Sequence, residues 1–139
     1  MAYQRKSWAE KMNVSSQAKI EKTDKSFADI PQGSTLLIAT PTIVDNYLRQ
    51  IPKGTHTSLQ QMRKDLAAEY DAQYTCPITS GIFLRICAEK AYEEFQNGKL
   101  LKNITPFWRM IDKKTPAAKK LTFGFDFVQE QRIKEGLER

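Results

Sequence analysis

Thr75-Cys76-Pro77-Ile78-Thr79-Ser80-Gly81 places a thiol and several small residues at what reads as the start of a helix. The free N–H groups and partial positive charge of a helix N-terminus can hold a phosphate or lower the pKa of a thiol. Thr79, Ser80 and Gly81 are short enough to let such a helix end approach a nucleic-acid groove. The same segment also reads as an ordinary helix start. Cys76 is a candidate nucleophile with His56, the sole histidine, as its base, although no spacing joins the two. Cys87 falls on an apolar helix face and reads as core. A second constellation, Thr105-Pro106-Phe107-Trp108-Arg109, sets two aromatic rings beside a guanidinium, a combination that stacks bases. It equally reads as a strand lending its aromatics to the core.

Helices and strands must position these groups. Ser7 can cap a short helix carrying Trp8, Ala9 and Met12, and the rest of residues 1–35 reads as a weakly ordered arm. Leu36-Leu37-Ile38-Ala39 reads as a short apolar strand. Thr40 supplies an N-cap and Pro41 a first helical position for a helix with Ile43, Val44, Tyr47, Leu48 and Ile51 on one face. Ser58 caps a second helix to Glu69, with Leu59, Met62, Leu66 and Tyr70 as its apolar stripe. A break over Asp71–Thr75 leads to the longest helix, from about Pro77 to Gln96, whose buried side is read as Ile78, Ile82, Phe83, Ile86, Cys87, Ala91 and Phe95. Asn97-Gly98 stops it. Two helices joined by a short polar turn form a helix-turn-helix pattern. Ile104–Ile111 is expected as a strand, Asp112–Pro116 as a polar turn, and Phe125–Leu137 as a helix. The fold class expected is mostly α with a small β-wing, a winged helix-turn-helix.

Composition sets the limits. The chain has 139 residues, 40% apolar and 27% charged, an ordinary globular balance of single-domain length. Its longest apolar run is Leu36–Ala39, far below the ~20 residues of a membrane span, and no apolar stretch follows the N-terminal charges as in a secretory signal. Two cysteines and one histidine make neither a disulfide framework nor a zinc module. A cytoplasmic location is the default, with no cofactor and no metal expected. The net charge of +6 is local. Lys99, Lys102, Arg109, Lys113, Lys114, Lys119 and Lys120 face only Asp112 within Lys99–Lys120, whereas the rest of the chain is nearly balanced. Such a window suits a polyanion, nucleic acid first; a solvated lysine-rich loop is the alternative.

Taken together, these segments resemble a known family. Ile51-Pro52-Lys53-Gly54-Thr55-His56-Thr57-Ser58-Leu59-Gln60-Gln61-Met62 is similar to the opening of the C-terminal domain of the O6-alkylguanine-DNA alkyltransferases. Pro106-Phe107-Trp108-Arg109-Met110-Ile111 resembles that family's Pro-Cys-His-Arg-Val-Val motif, and Glu135-Gly136 its closing Glu-Gly pair. The resemblance runs from about Leu36 to Gly136. It is nearest to the divergent alkyltransferase-like (methyltransferase-family) branch, through Cys76-Pro77-Ile78-Thr79-Ser80-Gly81-Ile82-Phe83. It divides the chain into an arm, 1–35, and an alkyltransferase-like winged-helix domain, 36–139.

Family members flip an alkylated base into a pocket and move its alkyl group onto the motif cysteine. Here Phe107 stands at the cysteine position and Trp108 at that of its histidine. Glu135 is left with no relay to serve. Ile78 replaces the arginine finger and Leu59 the tyrosine that helps rotate the target phosphate. The resemblance therefore implies a non-catalytic protein that binds duplex DNA, alkylated duplex included, and passes the lesion to a repair partner. Its DNA face is expected at Ser58, Thr79, Ser80, Gly81 and Arg85, with Lys113 and Lys114 on phosphates. Leu59, Pro106, Phe107, Trp108, Arg109 and Glu135 are expected to line a relic active-site pocket. The other readings are a thiol enzyme using Cys76 and a protein-interaction adaptor presenting Phe107 and Trp108.

Overall fold

Ser7 Oγ accepts the Glu10 N–H at 3.1 Å while the Glu10 carboxylate accepts the Ser7 N–H at 3.3 Å. This reciprocal cap starts α1 (Trp8–Met12), whose Met12 is buried. The computed structural model describes residues 7–12 and 17–138. Next come β1 (Lys19–Lys22) and β2 (Thr35–Ile38), paired antiparallel with Lys19 opposite Ile38. Residues 17–35, read as an arm, thus supply an edge strand and the buried side chain of Ile30.

Thr40 Oγ1 accepts the Ile43 N–H at 3.1 Å and Pro41 opens α2 (Pro41–Arg49), as its local sequence requires. Ser58 does the same for α3 (Leu59–Glu69), taking the Gln61 N–H at 3.0 Å. β3 (Tyr74–Thr75) pairs parallel with β2, placing β2 at the centre of a three-stranded mixed sheet. Leu36 and Leu37 point to opposite faces of β2. Leu37 enters the main core, and Leu36 packs with Ile30 and Cys76 in a smaller cluster.

α4 (Pro77–Gln96) follows at once and ends at Gly98, whose φ of +104° suits a residue without a Cβ. Its inward face is the expected one at Ile86, Cys87 and Ala91, with Phe83 and Phe95 packed partly against the core, and differs over the first turns. Ile78 and Ile82 are 63% and 52% exposed, whereas Ser80, Leu84, Cys87, Ala88 and Ala91 are buried. Small residues on that side let α4 lie close against α1 and α2. The buried face is therefore set by which neighbours can come near.

Beyond α4 the strand expected over 104–111 is absent. Phe107–Arg109 is a single 3-10 turn, flanked by others at Leu101–Asn103 and Pro116–Lys120. Pro106 has no N–H for a ladder, and Ile104, Phe107, Trp108, Met110 and Ile111 are all buried rather than alternately so. No strand follows α4 among the described residues, so the small sheet lies wholly before that helix. α5 (Asp126–Lys134) closes the chain over the Phe107 turn. The described residues form a mostly helical small domain of five α-helices with one three-stranded mixed sheet. No helix among the described residues is long and apolar enough to cross a membrane.

Candidate functional site

Glu135, just past the end of α5, joins the turn after α2 to the Trp108–Arg109 part of the second constellation. Its carboxylate accepts the Trp108 indole N–H at 2.6 Å, the Arg109 guanidinium at 2.9 Å and the Gly54 N–H at 2.9 Å. Arg109 also donates to the Ile51 carbonyl at 2.8 Å, and the Thr57 N–H returns to the Arg109 carbonyl at 2.9 Å. Desolvation pushes the Glu135 carboxyl up; the Arg109, Gly54 and Trp108 donors outweigh it and hold it below the usual glutamate range. Glu135 is therefore far from idle. It ties the turn after α2 to the Phe107–Arg109 turn, and Arg109 is an internal support rather than a free cation.

Arg132, which carries no motif of its own in the sequence, completes this knot. It is 5% exposed and donates to the Trp108 carbonyl at 2.7 Å and to Glu138 at 2.9 Å. Its guanidinium lies 3.1 Å from His56 Nδ1. An accepting Nδ1 puts the imidazole proton on Nε2, toward Asp112 at 3.9 Å. Burial and the Arg132 charge push His56 below the usual imidazole range. The available signal was Gln131-Arg132, a polar pair on the stripe that α5 turns inward.

Phe107 and the thiols lie elsewhere. The Phe107 ring is fully buried, 5.4 Å from Trp108, 5.8 Å from Phe123 and 5.9 Å from Phe127. With Trp108 only 3% exposed, these rings offer no surface to a peptide or a base. Cys76 packs against Ile30 and Leu36, and no contact joins it to His56 among the described residues. Cys87 Sγ lies 3.3 Å from the Pro41 carbonyl, and burial pushes its thiol well up. No group of three or more His, Cys, Asp or Glu residues converges as a metal site among the described residues.

The residues read as a DNA face divide by exposure. Ser58 Oγ is engaged as the α3 cap, and Ser80 is turned inward, donating to the Cys76 carbonyl at 2.6 Å. Thr79 is half-buried with its hydroxyl shielded and unpartnered. Arg85 sits 3.6 Å from the buried Glu89 carboxylate and 5.4 Å from the Trp8 ring centre. Lys113 and Lys114 are exposed in the loop after Asp112, whose carboxylate accepts the Lys114 N–H at 2.8 Å. Gly81 lies on the wall of a groove of about 590 Å³ along the N-terminal half of α4, where Leu59 also opens. Lys11, Arg85 and Lys120 contribute the groove's charges, and no carboxylate of the described residues lines it. Among the described residues, a Cβ built on Gly81 would meet nothing within 4 Å apart from its own stretch of helix.

The six residues expected in one relic pocket are thus split. Pro106, Trp108, Arg109 and Glu135 border a separate cavity of about 340 Å³, Phe107 is core, and Leu59 faces the α4 groove. Comparisons with protein-family models, curated proteins and solved structures yielded no match.

Proposed function

We propose that the chain is a non-catalytic, alkyltransferase-like DNA-binding domain that engages duplex DNA, alkylated duplex included, along the N-terminal half of α4. The observation that carries this reading is the α4 groove, which has cations and, among the described residues, no carboxylate on its walls. α3 and α4 serve as the helix-turn-helix. In place of a β-wing, the loop and turn over 112–120 bring Lys113, Lys114, Lys119 and Lys120 to the phosphates. Ile78 and Ile82 project as apolar side chains of the kind that wedge between base steps in a minor groove.

Gly81 supports the same reading. Inside a helix, glycine costs about 1 kcal/mol against alanine. Nothing among the described residues needs the missing side chain, so its use is the close approach of something outside. Gly81→Ala should therefore raise stability by up to about 1 kcal/mol while weakening duplex binding. Chemical denaturation and a duplex titration of the same variant check this; unchanged duplex affinity would count against the α4 groove.

Phe107 leaves no thiol at the nucleophile position that the alkyltransferase resemblance assigns. Incubation with a duplex containing O6-methylguanine should leave the intact protein mass unchanged. A stoichiometric methyl gain on Cys76 would instead support thiol chemistry.

A further inference from the structure

We propose that the cavity beside Glu135 is a second site, which binds the phosphate group of a phosphomonoester. It shares no lining residue with the α4 groove. Arg49, Lys53, Lys102, Arg109 and Lys134 all border its 340 Å³, against the single carboxylate of Glu135. That carboxylate is already occupied by Trp108, Arg109 and Gly54, so it offers little to the other cations. Arg49 is held by Asp45 at 2.9 Å and Lys134 by the exposed Glu130 at 3.2 Å. Both also sit in the last turns of their helices, where a cation offsets the helix dipole.

Lys53 has neither explanation, and Lys102 has no carboxylate partner and sits on a three-residue 3-10 turn too short to carry a helix dipole. They come from different segments, the turn after α2 and the 3-10 turn at Leu101–Asn103, and both are exposed. No carboxylate of the described residues lies within ion-pair distance of either. Like charges that converge on a concave surface repel, and an anion seated between them removes that penalty. Beside the cations, half-buried Leu101 gives the organic part of an ester an apolar contact. The volume falls at the small end of ligand pockets, about 300–1,000 Å³.

Backbone amide NMR of the full chain tests this at constant ionic strength, with AMP, inorganic phosphate and a short duplex bearing a 5′-phosphate as probes. Saturable shifts at Lys53, Gly54 and Lys102 are expected with AMP or phosphate. They should weaken at least tenfold in Lys53→Glu/Lys102→Glu and persist in Lys113→Glu/Lys114→Glu. The milder Lys53→Gln/Lys102→Gln pair gives the same comparison should charge reversal disturb the fold. Shifts produced by the phosphorylated duplex alone would support the site with a nucleic-acid end as its phosphate source. No shift with any probe, or shifts insensitive to both Lys53/Lys102 variants, would overturn the proposal. Either result leaves the α4 groove to be judged separately, through Gly81→Ala.

Discussion

Phe107→Ala is expected to destabilise the protein by about 3–5 kcal/mol, the usual cost of removing a buried phenylalanine. The ring is fully enclosed and touches the aromatic group of Trp108, Phe123 and Phe127, which joins α5 to the turn at Phe107–Arg109. Its removal leaves a void that these stiff neighbours can fill only in part. A loss of this size lowers the melting temperature by about 10–20 °C in a domain of this length. Duplex affinity measured well below the new melting point should barely change, because Phe107 lines neither the α4 groove nor its loop. A folded variant with wild-type stability would show that the ring is not part of the core. One that kept its stability but lost preference for an alkylated duplex would make the position a base-binding wall.

Glu135→Ala should be nearly as costly, because it strands Arg109. The two side chains are 6% and 15% exposed, and breaking such a pair from one side typically costs about 3–5 kcal/mol. The loss also detaches the Gly54 N–H and the Trp108 indole. A pH signature separates this from simple packing. The folded carboxyl titrates below its unfolded value, so the unfolded chain takes up the proton first as pH falls. The contribution of Glu135 is thus complete above the ordinary glutamate range and is lost as pH drops through the depressed folded value. Glu135→Gln, which keeps the shape, should lack that part of the acid slope and approach wild type at the lowest pH. Denaturation series across acidic pH check it, and parallel curves for the two proteins would contradict the assignment.

What could be read from the sequence was what is decided locally. Thr40 and Ser58 cap their helices because an N-cap needs only its own next three residues, and Gly98 ends α4 for a similarly local reason. The face of α4 was legible from Phe83 onward but not in its first turns. Apolar residues occupy more than one side of it, and the approach of α1 and α2 decides that Ser80 goes in while Ile78 and Ile82 stay out. Nor was the turn at Phe107–Arg109. Aromatic and β-branched residues signal burial as readily as strand; Pro106 was the one local mark against a strand, and the packing of α5 and α4 around the turn decides it. The contacts of Glu135 with Gly54 and Trp108, and of Arg132 with Trp108 and His56, span 24 to 81 residues, beyond any periodicity argument.

The central claim, that the exposed cations beside α4 hold duplex phosphates, is tested most directly by one salt titration on wild type and Lys113→Glu/Lys114→Glu. Wild type should bind unmodified duplex with log K falling against log salt at a slope of roughly −4 to −5, as about four to six neutralised phosphates require. The double variant should bind more weakly with a slope shallower by about 2, one phosphate contact per lysine. Preference for an O6-alkylguanine duplex should be small in both. No binding at low salt, or a slope that the double variant leaves unchanged, would contradict the account.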